Sequence, residues 1–126
     1  MSVLIDTSVW IDYFRHGGNA EALDFLIDED FVVINDIILA ELVPFLRMRN
    51  QRTLIGLLFG VQKLEMSADW LQIMEYQYTC LKNGLNGIGI PDLLIAQNAR
   101  QNAVAMYSLD GHFQRLAKII GLTLYP

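Results

Sequence analysis

The stretch LIDTSVW, residues Leu4 to Trp10, joins an apolar segment to an acidic residue, Asp6, and then becomes apolar again. The residues just before Asp6 are short, β-branched and apolar, which predicts a buried strand. The apolar residues between Val9 and Phe14 recur at helical spacing, which predicts that a helix follows. Asp6 therefore stands at the carboxyl end of a predicted strand. It could simply cap the helix, or it could belong to a site at that end of the sheet.

The composition predicts one folded domain over residues 1–126, because 53% of the residues are hydrophobic and that is enough to fill one core. The formal net charge of −5 argues at first against a nucleic-acid partner. A single cysteine, Cys80, excludes a disulfide framework and a cysteine metal cluster. No apolar run approaches the roughly 20 residues needed to span a bilayer, and no leader is evident. We expect a soluble, cytoplasmic protein that does not contact membranes.

Further strand-like segments alternate with helical ones. FVVI (31–34) and AVAMYSL (103–109) predict buried strands, VQKLEM (61–66) predicts a short strand, and LTLY (122–125) predicts a last one. Helices are expected near 8–15, 20–29, 37–49, 53–60, 67–83, 92–102 and 112–120, with Asp36 as the N-cap of the third. This alternation predicts a three-layer α/β/α fold with a mainly parallel sheet of four to five strands.

Four acids fall at informative positions in this scheme. Asp6 and Asp110 follow strands, and Asp92 begins a helix at the same edge of the sheet. Glu41 is the only charged residue between Ile37 and Leu46, so burying it unpaired would cost several kcal/mol. Each acid also has a simpler role open to it, as a helix cap, a partner of the helix dipole or a turn residue.

Taken together, the four carboxylates would repel one another strongly in a partly dry cleft, and divalent cations are the usual remedy. Oxygen-only ligands favour Mg²⁺ or Mn²⁺ over zinc. Without these four charges the net charge of −5 becomes −1, so an acidic chain is compatible with an anionic substrate. Candidate phosphate contacts are the arginines, although a solvated helix face is an alternative for each: Arg15, Arg47, Arg49, Arg52 and Arg100.

The stretches LIDTSVW, LAEL, IPDLLIAQNA and YSLDGHF resemble, in this order, the four signatures of the PIN domain, and the chain length resembles the VapC group of bacterial toxin ribonucleases. The resemblance implies a domain that uses Mg²⁺ or Mn²⁺ to cut single-stranded regions of RNA, leaving a 3′-hydroxyl and a 5′-phosphate. It also implies an antitoxin protein that blocks the site. By position, the acids of the family match Asp6, Glu41, Asp92 and Asp110, and its supporting hydroxyl positions match Thr7 and Ser108.

Other enzyme classes fit less well. A haloacid-dehalogenase-type phosphatase needs a second aspartate where this chain has Ser8, and a receiver domain needs paired acids after the first strand and a late lysine. Serine-hydrolase and zinc-protease motifs are absent, and His16 and His112 lie too far apart to form a local metal pair. His112 is expected to pack or cap. The remaining alternative is a catalytically silent PIN-like domain that binds protein or RNA.

The expected partners follow from the acids and from one helix. A cluster of four acids is a natural target for an arginine or lysine inserted by an antitoxin. The segment SADWLQIMEYQYTCLKNG (67–84) carries more apolar surface than a small monomer easily hides, which predicts a homodimer. The RNA that is cut is not predicted, because recognition depends on loops and on substrate shape.

Overall fold

Four short segments pair in parallel to form the central sheet of the computed structural model, which describes residues 1–126. The strands are β1 (Val3–Ile5), β2 (Val32–Ile34), β3 (Gln62–Lys63) and β4 (Ala105–Tyr107), in the order β3-β2-β1-β4. Every residue of β1 and β2 is buried, as expected for parallel strands covered on both faces. The predicted parallel α/β architecture is confirmed.

Seven helices flank the sheet: α1 (Thr7–Phe14), α2 (Ala20–Asp28), α3 (Asp36–Met48), α4 (Arg52–Phe59), α5 (Trp70–Lys82), α6 (Ile90–Gln101) and α7 (Gly111–Ile120). The chain moves outward from β1 to β3 and then crosses back to β4, so right-handed crossovers put α1–α4 on one face and α5–α7 on the other. The helix contacts agree, because α1 packs on α2, α3 on α4, and α5 on both α6 and α7. None of these helices combines the length and apolarity that crossing a bilayer demands.

The predicted last strand is reduced to a single bridge. Leu124 pairs with Met106, supported by hydrogen bonds from Met106 N to Thr123 O (2.9 Å) and from Tyr125 N to Met106 O (2.8 Å). Leu124 is the one residue of the segment in a β-bridge, so the regular sheet has four strands.

Two helix starts differ from the prediction. Asn35, not Asp36, caps α3: its Oδ1 accepts from Ile38 N at 3.0 Å, because Asn35 is the extended residue that directly follows β2. Asp36 is the first helical residue and pairs with Lys63 Nζ at 3.1 Å. Helix α6 begins at Ile90, earlier than predicted, because Pro91 is tolerated in a first helical turn.

The strand register aligns three polar residues at the carboxyl edge of the sheet. Ile5 pairs with Tyr107 and Leu4 with Val33. Extending the register one residue past Ile5 and Tyr107, and two residues past Leu4 and Val33, puts three polar residues side by side just beyond the ends of β4, β1 and β2: Ser108, Asp6 and Asn35. This row is the base of the candidate site.

Candidate functional site

Asp6 is buried at this edge and caps the helix that follows it. Its side chain is 5% exposed, and its backbone N donates to Tyr107 O at 2.9 Å, which ties it to β4. It is also the N-cap of α1, since its Oδ2 accepts from Ser8 N at 3.4 Å. The strand end thus fixes the backbone, and the helix start fixes the side chain.

Two serines hold one oxygen of the Asp6 carboxylate. Oδ2 accepts hydrogen bonds from Ser8 Oγ at 2.7 Å and from Ser108 Oγ at 2.9 Å. The backbone of the β4–α7 loop donates to the same hydroxyls, from Leu109 N to Ser8 Oγ (3.1 Å) and from Asp110 N to Ser108 Oγ (3.0 Å). Oδ1 accepts no hydrogen bond from the protein, so this oxygen remains available to a ligand.

Ser8 belongs to the candidate site, although the sequence predicted no role for it. In the sequence it stands only where a phosphatase would carry a second acid. The signal that could have identified it is the spacing Asp-x-Ser at a predicted helix start, because side chains two residues apart commonly share a cap. Thr7, expected beside Asp6, instead donates from Oγ1 to Glu41 Oε1 at 2.9 Å, across 34 residues of sequence.

Glu41 lies on the face of α3 opposite its buried residues. The buried face is formed by Ile38, Leu39, Leu42 and Leu46, whereas Glu41 is exposed as a residue. The expectation that Glu41 would be buried on an apolar helix is therefore wrong, because its turn of α3 borders an open cleft rather than the core. Its carboxyl group is still partly shielded. Desolvation raises the pKa of Glu41, the hydrogen bond from Thr7 opposes this, and the charges of Asp6 and Asp92 raise it further.

Asp92 occupies the first turn of α6. Its Oδ2 accepts from Gly89 N at 3.3 Å, which gives the N–H of the N-cap residue a partner at the helix start. Desolvation raises the pKa of Asp92, although the Gly89 N–H lowers it. The charges of Asp6 and Asp110 raise the pKa and that of His112 lowers it.

Asp110 is the N-cap of α7 and pairs with a histidine. Its Oδ1 accepts from His112 N at 2.9 Å and lies 3.1 Å from His112 Nδ1. The imidazole rests against Gly87, where an added Cβ would lie 2.4 Å from His112 Nε2. Of the two expected roles of His112, packing is the one observed: its ring lies against Gly87 and contacts Asp110.

The charges of the four predicted acids affect one another. The pKa of Glu41 responds to Asp6 and Asp92, and that of Asp92 responds to Asp6 and Asp110. The ion pairs of the chain join Lys63 to Asp36 and His112 to Asp110, so no lysine or arginine neutralises the four acids.

A divalent cation fits the chemistry of this donor set. No three acidic, histidine or cysteine side chains converge tightly enough to form a metal site from protein atoms alone. Mg²⁺, however, usually keeps several waters and binds through one or two carboxylates. All-oxygen donors and an unneutralised charge match that mode of binding.

The predicted arginines lie away from the acids. Arg15 and Arg49 line a cavity of about 590 Å³ near the ends of α1 and α3, and Arg49 stacks on Phe45 at 3.8 Å. Arg100 donates to Tyr76 OH at 2.7 Å near the end of α6. Each of these three lies more than two helical turns, about 12–14 Å along the helix, from the acid of its own segment. The remaining two are exposed on the protein surface: Arg47 and Arg52.

Comparisons with known proteins agree with this geometry. Residues 3–119 match the family described as "PIN domain". The fold is similar to VapBC2 from Rickettsia felis bound to a promoter DNA fragment, with 22% identity, a TM-score of 0.78 and coverage of 99% of this chain and 98% of that one. VapBC-1 from nontypeable Haemophilus influenzae gives 20% identity, a TM-score of 0.77 and coverage of 99% and 97%. DNA-bound VapBC from Salmonella typhimurium gives 17% identity, a TM-score of 0.78 and coverage of 99% of this chain and 97% of that one. No curated protein sequence is significantly similar to the chain.

Proposed function

The chain belongs to the PIN-domain family, and from that premise we propose that it is a Mg²⁺- or Mn²⁺-dependent endoribonuclease, the toxin of a toxin–antitoxin pair. It hydrolyses phosphodiester bonds in single-stranded regions of RNA in the cytoplasm. The observation that carries this proposal is the group of four carboxylates at the carboxyl edge of the sheet, which no lysine or arginine neutralises.

The residues proposed to hold the cation are Asp6, Glu41, Asp92 and Asp110. When bound there, the cation supplies Lewis-acid polarisation of the phosphodiester and activates water for attack. Asp6 keeps Oδ1 free for this purpose because the serine hydroxyls occupy Oδ2. Whether Asp110 is a direct ligand depends on the histidine that already shares its Oδ1.

The supporting hydroxyl groups orient the carboxylates. Thr7 donates to Glu41, while Ser8 and Ser108 donate to Asp6. Such outer partners fix the orientation of metal ligands and tune their basicity. We extend the proposed supporting set of Thr7 and Ser108 by Ser8.

The uncompensated acids also make RNA binding depend on the cation. A phosphodiester that approaches four carboxylates is repelled, and bound cations reverse this repulsion. Arg15, Arg49 and Arg100 would then contact phosphates well away from the cleaved bond, since each lies about 12–14 Å along the helix from the acid of its own segment. Arg47 and Arg52 remain proposed contacts of the same kind.

We propose an antitoxin partner because no lysine or arginine of the chain neutralises the acids of the site. The similar structures are of VapBC from three bacteria, and the resemblance of this chain to VapC implies an antitoxin that blocks the site. A basic side chain inserted between the carboxylates would neutralise their charge and occupy the place of the cation.

We also propose a homodimer formed through α5. Its exposed apolar residues recur at helical spacing and share one face: Trp70, Met74, Tyr78 and Leu81, with Leu71 beside them. These side chains are 54–76% exposed, which is unusual for large apolar groups on a small protein. A second copy of the same helix would cover them.

The decisive experiment is cleavage of a single-stranded RNA by the purified protein with Mg²⁺ or Mn²⁺, compared with EDTA. We expect cleavage with either metal and none with chelator. Full cleavage in chelator would overturn the metal dependence. The alternative, a catalytically silent binding module, predicts no cleavage with any metal, and a thermal-shift titration with Mn²⁺ separates the two because the silent module predicts no response.

A further inference from the structure

Two buried asparagines join α3 to α6. Asn35 is 0% exposed and Asn98 is 1% exposed. Asn35 Nδ2 donates to Asn98 Oδ1 at 3.0 Å, while Asn35 Oδ1 accepts from Ile38 N at 3.0 Å and caps α3. Asn98 Nδ2 in turn donates to Glu65 O at 2.9 Å. The two amides therefore form a short chain of hydrogen bonds in which each side-chain nitrogen and oxygen has a partner.

This pair lies beside the candidate site and on both of its flanking helices. Asn35 is the neighbour of Asp6 in the row at the carboxyl edge of the sheet. Glu41 lies less than two turns after Asn35 on α3, and Asp92 lies less than two turns before Asn98 on α6. The distance along the helix is about 9 Å within each pair. A change in the angle between α3 and α6 at the asparagines would thus move the two acids relative to each other.

The helices α3 and α6 are in contact, but an open cavity interrupts their packing at the level of the acids. There the two helices border a cavity of about 470 Å³, lined by Asp36, Ile37, Ala40, Glu41, Ile90, Pro91 and Leu94. Side chains on either side of an open cavity lack the close contacts that resist a shift. The Asn35–Asn98 hydrogen bond joins the N-cap residue of α3 directly to a side chain of α6.

We propose that Asn35 and Asn98 are a positioning pair, which sets the separation of the Glu41 and Asp92 carboxylates. The inference rests on the proposed function, because these two acids matter together only if they hold a cation. A directional amide–amide bond specifies one helix arrangement, whereas two apolar side chains of similar size would tolerate several. Neither asparagine touches the cation or the RNA in this scheme.

Gln97 provides a matched control on the same helix. It is the neighbour of Asn98 and equally buried, at 1% exposed. It accepts from Asp69 N (3.1 Å) and donates to Asp69 O (3.0 Å) and Gln72 Oε1 (2.7 Å), so it joins α6 to α5 rather than to α3. Its removal costs at least as many hydrogen bonds without loosening α3.

The test compares Asn35→Ser, Asn98→Leu and Gln97→Leu in the full chain. Serine retains the cap of α3 but is too short to reach Asn98, so Asn35→Ser separates capping from bridging. The readouts are the Mn²⁺ concentration that gives half of the maximal thermal stabilisation, the melting temperature without metal, and RNA cleavage. We expect both asparagine variants to weaken Mn²⁺ binding about tenfold, in the range seen for outer partners of metal ligands. Gln97→Leu should lower the metal-free melting temperature comparably and keep wild-type Mn²⁺ affinity and cleavage.

Each remaining outcome overturns a distinct claim. If Gln97→Leu weakens Mn²⁺ binding as much as Asn98→Leu does, the pair serves general stability and the inference is wrong. If the wild type binds Mn²⁺ and cleaves RNA while both asparagine variants match it, the inference alone fails. If the wild type does neither, the proposed function fails and the inference with it. Should Asn98→Leu not fold, Asn35→Ser decides the question by the same readouts.

Discussion

Ser8 Oγ donates to Asp6 Oδ2 at 2.7 Å and accepts from Leu109 N at 3.1 Å, so one hydroxyl joins the first strand end to the last loop. The two bonds together fix the direction of the hydroxyl proton toward the carboxylate. Asp6 thereby keeps a set orientation before any ligand arrives. The proposed site is built partly by residues that never contact its ligand.

Replacing Ser8 with alanine should separate this orienting role from overall stability. We expect Ser8→Ala to lower the free energy of unfolding by about 1 kcal/mol, the typical worth of one hydrogen bond, and to weaken Mn²⁺ binding measured by thermal shift. Ser67→Ala is the control, since that side chain is exposed and makes no hydrogen bond. Wild-type Mn²⁺ affinity in Ser8→Ala would show that Asp6 needs no such support.

Asp92→Asn distinguishes a crowded metal site from a helix cap. Since desolvation and the charges of Asp6 and Asp110 raise the pKa of Asp92, loss of its charge should raise the metal-free melting temperature or leave it unchanged. The same change should abolish cleavage and shrink the stabilisation by Mn²⁺.

The matched control is Asp69→Asn, because Asp69 caps α5 through a 3.2 Å bond from Gln72 N and is exposed. Asparagine caps about as well as aspartate, so little should change in this variant. Identical behaviour of Asp92→Asn and Asp69→Asn in stability, Mn²⁺ response and cleavage would contradict the four-carboxylate site.

The raised pKa values of Glu41 and Asp92 predict the pH dependence of the metal-free protein. A carboxyl group with a higher pKa in the folded state binds more protons there than when unfolded. The free energy of unfolding therefore falls as pH rises from the ordinary values of 4.5 and 3.8 through the raised folded pKa values. This contribution is complete below the ordinary pKa values and lost above the folded ones.

Thermal denaturation in EDTA between about pH 4 and pH 8 tests this dependence. The double variant Glu41→Gln/Asp92→Asn should be more stable than the wild type at the upper end of the range, and the difference should vanish at the lower end. Mn²⁺ stabilisation of the wild type should grow with pH as protons cease to compete. If the melting temperatures of the two proteins changed with pH in parallel, the pKa values of Glu41 and Asp92 would not be raised in the folded protein.

A charge on the exposed face of α5 should disrupt the proposed dimer. Met74 is 62% exposed in the centre of that face, and burying a glutamate there in a dimer interface leaves it unpaired. We expect Met74→Glu to weaken dimerisation at least tenfold, about 1.4 kcal/mol, as measured by light scattering over a concentration series. Met48→Glu makes the same change at the 83% exposed end of α3 and should leave the dimer intact. A monomeric wild type would exclude this interface.

The sequence predicted the sheet because its strands are continuous apolar runs bounded by polar residues, as in β1 and β2. It also predicted which edge would carry Asp6, since parallel strands all end at the same side. It could not predict the partner of Thr7, because a contact across 34 residues depends on how α1 and α3 cross. Hydrophobic spacing predicts which residues of a helix are buried. It does not predict which other elements the exposed residues contact.

Glu41 illustrates that limit. The absence of other charges between Ile37 and Leu46 suggests burial. Glu41 nevertheless lines an open cleft with Ile37 and Ala40, and only the other side of α3 packs in the core. The arginines illustrate it again, because position along a helix, not residue type, keeps Arg15, Arg49 and Arg100 about 12–14 Å from the acids of their own segments. The buried Asn35–Asn98 bond carries no sequence signal at all beyond two polar residues in apolar surroundings.

The pairing of β1 between β2 and β4 has a consequence for how the protein emerges from the ribosome. Of the four strands, β1 is synthesised first, but it gains its second neighbouring strand only when Ala105–Tyr107 has been synthesised. Asp6 likewise gains its hydrogen bond from Ser108 only after that strand. Chains grow at about 5–20 residues per second, so a nascent chain spends seconds without its last strand. An enzyme that attacks RNA would, by this topology, complete its site only after the β4–α7 loop has been synthesised.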